Sequence, residues 1–192
     1  MPRSVEFWTV AVLLSLLSPL SAAEKVNLQV GDSAPVFEAK DDSGATWKSS
    51  DHVGKKIVVV YFYPADCTGG CTKQAKGFTK DLKTLAEKGV EVVGVSGDSV
   101  ENHVIFKKME MLGLTLLADE NGDVAAKFGV PFKKGGEVKR PFEGKEVVLK
   151  RGVSAERWTF VIGKDGKIVH KAKVVNPAGD SQEILKLLSQ SK

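Results

Sequence analysis

Residues 57–62 read IVVVYF, an unbroken run of β-branched and aromatic side chains. A strand wetted on one face alternates apolar with polar residues; a run without alternation belongs to a strand covered on both faces. The run therefore predicts a central strand. A polar turn over residues 64–70 follows, and then Ala75, Phe78, Leu82 and Leu85 fall on one face of a helix that Gly89 stops. Residues 90–96 (VEVVGVS) repeat the buried-strand pattern, and Ser99 is placed to cap a helix running to about Leu112. A third strand over residues 114–118 and a short helix over residues 124–128 come next. Two strands, 158–162 and 167–174, then turn at Lys164-Asp165-Gly166, and an amphipathic helix over residues 181–188 closes the chain. Parallel βαβ units followed by an antiparallel hairpin predict an α/β fold with a mixed central sheet flanked by helices.

That order is the thioredoxin-like layout with an N-terminal extension. The 192 residues, 42% of them apolar, with 28 Lys and Arg against 24 Asp and Glu, suit one globular domain and exclude a disordered tail, a collagenous chain and a multi-span membrane protein. One boundary divides the chain. Residues 1–23 read as a secretory signal peptide: an apolar stretch over residues 8–20 stands behind Arg3 and ends at Ser21-Ala22-Ala23. Thirteen residues are too few to span a bilayer, which takes about 20. The expectation is cleavage after Ala23, a mature domain over residues 24–192, an exported location in the periplasm or outside the cell, and no stable membrane insertion afterwards.

The net charge of +4 sits in residues 131–151, which hold seven Lys or Arg and three Glu. Gly, Pro and charge mixed in this way read as a solvated surface excursion, and no nucleic-acid surface follows from it. No repeat or second domain is visible.

Two cysteines are too few for a disulfide scaffold or a four-thiolate zinc site, which leaves redox chemistry. Both lie in the turn after the first central strand, in YPADCTGGCT, beyond the carboxyl end of a parallel strand where such sheets carry their sites. Cys71 opens the predicted helix, whose free N–H groups and dipole favour thiolate over thiol.

Pro64, Thr68 and Cys71 match the P-x-x-x-T-x-x-C signature of peroxiredoxins, and the flanking segments GDSAPVFEAKDDSG, SGDSVENHVIFKK, LADENGDVAAKFGV and RWTFVIGKDGKIV resemble the PrxQ, or bacterioferritin comigratory protein, branch of the AhpC/TSA family. The resemblance covers nearly all of the mature chain, with residues 131–155 as an insertion. It implies a thiol peroxidase acting on hydrogen peroxide or organic hydroperoxides, without organic cofactor or metal, recycled by a thioredoxin-like reductant, as monomer or dimer. It further implies that Cys71 attacks the peroxide and becomes a sulfenic acid, that Thr68 offers its hydroxyl to thiolate and peroxide, that Pro64 shields the thiolate, and that Arg157 holds the thiolate and polarises the peroxide. Taken singly, Arg157 also reads as a surface partner of Glu156 and Thr68 as a turn or capping residue.

The chain departs from the pattern at three places. The resolving cysteine of many relatives, five residues after the nucleophile, is here Lys76; Gly69 stands where Pro is common; and Gln74 replaces a usual Glu. Cys67 is then a resolving thiol, a bystander, or half of a metal pair, and the first is the expectation. Were both cysteines helical, their Cβ atoms would lie about 5–6 Å apart, too far for a disulfide, so local unwinding at Gly69 and Gly70 would be needed. The runner-up class is a Sco-like C-x-x-x-C copper-binding or thiol–disulfide exchange protein of the cell envelope, since soft thiolates suit Cu(I). Arg157 stands where its distal His would fall, and His52, His103 and His170 are scattered and read as surface or strand residues.

Overall fold

The computed structural model describes residues 26–190, so the signal-peptide reading of residues 1–23 lies outside the described residues. The central strand is β3 (Ile57–Phe62), parallel to β4 (Val90–Ser96), which is parallel to β5 (Thr115–Ala118). β10 (Trp158–Ile162) lies antiparallel on the other side of β3, with β11 (Ile168–Lys173) beyond it. At the opposite edge β1 (Glu38–Asp41) and β2 (Thr46–Lys48) complete a seven-stranded mixed sheet in the order β11-β10-β3-β4-β5-β1-β2. The expected α/β layout is present; β1 and β2, with four and three residues, are too short to show a period in the sequence.

β3 shows why its composition is uniform. Val59 and Tyr61 enter one core with Tyr63, both cysteines, Phe78, Phe106 and Ile184, while Val58, Val60 and Phe62 enter a second with Phe37, Trp47, Phe128 and Phe160. The first core is covered by α1 (Gly69–Glu87), α2 (Val100–Glu110) and α4 (Asp180–Gln190), the second by α3 (Asp123–Lys127) and the N-terminal segment. Ser99 caps α2 as expected, its hydroxyl accepting from the Asn102 N–H at 3.3 Å.

Residues 131–155 are not the solvated excursion that their composition suggests. β6 (Phe132–Lys134) pairs with β9 (Val153–Ala155), and β7 (Glu137–Phe142) folds against β8 (Lys145–Lys150) as a hairpin. Its turn places Glu143 and Gly144 at φ 50° and 78°, the two positive values that a tight two-residue connection requires. One face of the hairpin is apolar: Leu149 is buried in the first core, with Val138 and Val147 packed against it.

Gly94 faces Tyr61 across β3 and β4, and a Cβ there would lie 2.6 Å from the Tyr61 ring. That ring is fixed between Tyr63 and Phe78 and cannot move aside. Gly94→Ala should destabilise the fold by about 1–3 kcal/mol in urea unfolding; an unchanged midpoint would mean that Tyr61 is free to shift.

Candidate active site

Cys71 is the third residue of α1 and is buried, its thiol aimed across the start of the helix at the end of β10. Arg157 Nη2 donates to Cys71 Sγ at 3.1 Å. The other guanidinium nitrogen, Nη1, donates to Gln74 Oε1, one turn further along α1. Gln74 Nε2 in turn donates to Asp180 Oδ2 at 2.7 Å, and the Thr159 hydroxyl donates to the same oxygen at 2.8 Å. The amide at position 74 is what permits this chain: it accepts from a cation on one side and donates to a carboxylate on the other. A Glu there would face Asp180 as a like charge. Asp180 is itself pushed up from the ordinary carboxylate value by burial, against the two hydrogen bonds it accepts.

The approach of Arg157 depends on Gly70. A Cβ at position 70 would stand 3.3 Å from Arg157 Nη2 and 3.6 Å from the Pro177 ring, whereas one at Gly69 would meet nothing within 4 Å. The register of β10 on β3, with Trp158 opposite Phe62 and Thr159 opposite Tyr61, sets Arg157 beside the loop that follows β3. Glu156, its sequence neighbour, pairs with Lys173 at 2.7 Å.

Thr68 precedes α1 in extended conformation and makes no side-chain cap; its hydroxyl donates to the Ala65 carbonyl at 3.0 Å. Pro64 borders a cavity of about 370 Å³ that it shares with Pro131, Phe132 and Ala155. The sequence-selected residues Pro64, Cys67, Thr68 and Cys71 thus lie on one loop and helix start, and Arg157 joins them from the entry to β10.

Cys67 does not lie on the helix, so the i,i+4 separation anticipated for two helical cysteines does not apply. Its φ of 54° is left-handed, a conformation that costs a non-glycine residue about 1–3 kcal/mol and persists where surrounding contacts impose it. The thiol donates to Met109 Sδ at 3.8 Å, on α2, and the carbonyl accepts from Arg140 Nε at 2.9 Å, on the β7–β8 hairpin. Both cysteines are free thiols. Burial, with Asp66 beside it, pushes the Cys67 thiol up to about 12.

The residue before it is the loop's anchor. Asp66 is fully buried; its backbone N–H donates to Asp98 Oδ2 at 2.9 Å, its carboxylate accepts from the Tyr63 hydroxyl at 2.8 Å, and His103 Nδ1 meets its other oxygen at 2.7 Å. His103 is therefore neither a surface nor a strand residue: it sits on α2 with no exposed area. Burial works against its charge, but Asp66 and Asp98 outweigh that and raise its pKa. Sequence reasoning missed Asp66, His103, Gln74 as a bridge, and Asp180; each is a polar residue in a polar or mixed stretch and carries no local signal of its burial.

A nucleophile-capable thiol at a helix start, faced by a held arginine on a thioredoxin-like sheet, defines a thiol-based oxidoreductase. The AhpC/TSA family model matches residues 30–171, and the chain belongs to that family. It is 37% identical to peroxiredoxin Bcp of Bacillus subtilis over 168 residues, covering 86% of this chain and 99% of that one. It is 39% identical to peroxiredoxin Bcp of Escherichia coli over 143 residues, 74% of this chain and 84% of that one. Its fold superposes on the crystal structure of peroxidoxin BcpB from Mycobacterium tuberculosis with a TM-score of 0.71 at 32% identity, over 86% and 99% of the two chains. With these relatives over most of its length, the chain is a thiol-dependent peroxidase, and the copper-binding alternative has no support.

Two outcomes follow from the geometry. Gly70→Ala should displace Arg157 and slow oxidation of Cys71 by roughly tenfold or more with little loss of stability; an unchanged rate would show that the arginine accommodates a methyl group. Iodoacetamide attacks thiolates, and an ordinary thiol, at 9.0, reaches full ionisation near pH 10. Labelling of native Cys67 should instead still be rising with pH at about 12, and at pH 8 should run roughly a thousandfold slower than after denaturation. Equal labelling in the two states would contradict its burial.

Proposed function

We propose that Cys71 is the peroxidatic cysteine, that Cys67 resolves it, and that a thioredoxin-like protein returns the disulfide to two thiols. The observation that carries this reading is the 3.1 Å contact between Arg157 Nη2 and Cys71 Sγ, with the guanidinium held from behind by Gln74. As the Cys71 thiolate attacks the terminal peroxide oxygen, the S–O bond forms, the O–O bond breaks, and negative charge develops on the leaving oxygen, which departs as water or an alcohol once protonated. A fixed cation that needs no reorganisation stabilises that charge best, and arginine offers several coplanar donors without competing as a base. The Thr68 hydroxyl, held by the Ala65 carbonyl in the resting loop, turns to the bound peroxide, and Pro64 keeps water from the thiolate.

The substrates are hydrogen peroxide and organic hydroperoxides. The apolar wall that Pro64, Pro131, Phe132 and Ala155 give to the adjoining cavity supports the second. Cys67 then attacks the Cys71 sulfenic acid: the S–S bond forms, the S–O bond breaks, and hydroxide leaves as water with the Cys67 proton. The apolar stretch before Ser21-Ala22-Ala23 supports export with cleavage after Ala23, into a compartment where a disulfide persists between turnovers.

Reduced protein mixed with hydrogen peroxide tests the assignment. Wild type should lose both thiols, Cys67→Ser should stop at a sulfenic acid, and Cys71→Ser should consume no peroxide. Arg157→Ala should react roughly 10²-fold more slowly. Peroxide consumption by Cys71→Ser at the wild-type rate would sink the assignment.

A further inference from the structure

The two thiols lie four residues apart and face different parts of the molecule: Cys71 toward Arg157 at the entry to β10, Cys67 toward Met109 on α2. Bringing them together means moving Cys67 out of its present seat. Asp66 cannot move with it, because three buried partners, Asp98 in the turn after β4, His103 on α2 and Tyr63 in the loop itself, fix both its N–H and its carboxylate. Gly69 and Gly70 follow Thr68 as the first residues of α1, and even a Cβ at Gly69 would meet nothing within 4 Å, so residues 67–70 are the piece able to swing once the first turn unwinds. Two contacts restrain that piece at Cys67: the Met109 thioether on its sulfur and Arg140 on its carbonyl.

Arg140 belongs to the hairpin that the relatives' motif does not account for. Leu149 anchors the hairpin in the core beside Cys67. Its far end is tied to the same α2 and Asp98 cluster, since Asn102 Nδ2 donates to the Lys150 carbonyl at 2.8 Å and to Asp98 at 3.2 Å. Arg140 thus reaches Cys67 from a support that stays in place when the loop moves.

We propose that the β7–β8 hairpin is a latch on Cys67, with Arg140 the positioning residue that holds the resolving thiol away from Cys71 and so sets the rate of disulfide formation. This rests on the assignment of Cys67 as resolver. While the latch is closed, an oxidised Cys71 stays longer as the sulfenic acid, and a second peroxide can carry it to sulfinic acid, inserting one further oxygen and releasing water or alcohol. The hairpin then fixes the peroxide dose at which the enzyme inactivates itself.

Rapid mixing of reduced protein with peroxide, read by tryptophan fluorescence and by mass after quenching, separates a peroxide-dependent phase (Cys71 oxidation) from a peroxide-independent one (disulfide formation). Arg140→Met keeps the aliphatic stem and removes the donors. It should speed the second phase about tenfold, the size expected for one charge-assisted hydrogen bond, and leave the first within about twofold. Arg140→Lys should lie between Met and wild type, and Met109→Leu, which keeps the packing and removes the sulfur acceptor, should speed the second phase about twofold. Sulfinic acid should require more peroxide in Arg140→Met than in wild type. A second phase in Arg140→Met equal to or slower than wild type overturns the latch while the resolver assignment stands. A wild type that forms no Cys67–Cys71 disulfide overturns both.

Discussion

Everything chemical in this fold depends on one contact, the guanidinium of Arg157 against the sulfur of Cys71. The residues that make it come from three separated parts of the chain: the start of α1, the entry to β10, and Asp180 at the start of α4. Each part contributes something only it can. The β3–β10 register sets the height of the arginine, Gly70 leaves room for it, and Gln74 converts a buried carboxylate into a neutral acceptor for its second nitrogen. A flexible cation in that position would lose rotamer freedom at the moment of reaction; this one has lost it on folding.

The opposite side of the loop is built on a different principle. Asp66 is buried among groups that satisfy it from three directions, so the chain just before Cys67 is rigid, while two glycines just after it leave the chain free to pivot. Cys67 lies between these regimes in a left-handed conformation imposed by its neighbours. Burial keeps its thiol protonated where it is held, and release to solvent returns it to ordinary thiol behaviour. Geometry and protonation thus act in the same direction, both holding this thiol out of reaction where it sits.

The β3, β4 and β10 strands were legible as apolar runs without alternation, the longer helices from their spaced apolar residues and end signals, and the cysteine loop because a strand, a turn and a helix start bracket it. β1 and β2 were not, since neither exceeds two repeats of its own pattern and both carry charged residues. The β7–β8 hairpin was hidden by composition: Lys, Arg and Glu on its outer face outweigh the single apolar face of Val138, Val147 and Leu149, and its Glu143-Gly144 turn lacks the Asn-Gly or Asp-Gly that marks such turns most strongly. Asp66 with His103, and Gln74 with Asp180, are separated by 37 and 106 residues, and no spacing in a single sequence announces contacts of that range. The left-handed backbone at Cys67 is likewise a product of its surroundings, since the residue itself has no preference for it.

The central claim is that Cys71, and not its neighbour, is the atom that peroxide oxidises. One equivalent of hydrogen peroxide added to the reduced protein in the presence of dimedone, with the label located by peptide fragmentation, tests it most directly, because dimedone captures a sulfenic acid where it forms. The structure predicts the label on Cys71, in full yield when Cys67 is replaced by serine and in competition with the disulfide when it is present. A label on Cys67 in the wild-type protein would contradict the account.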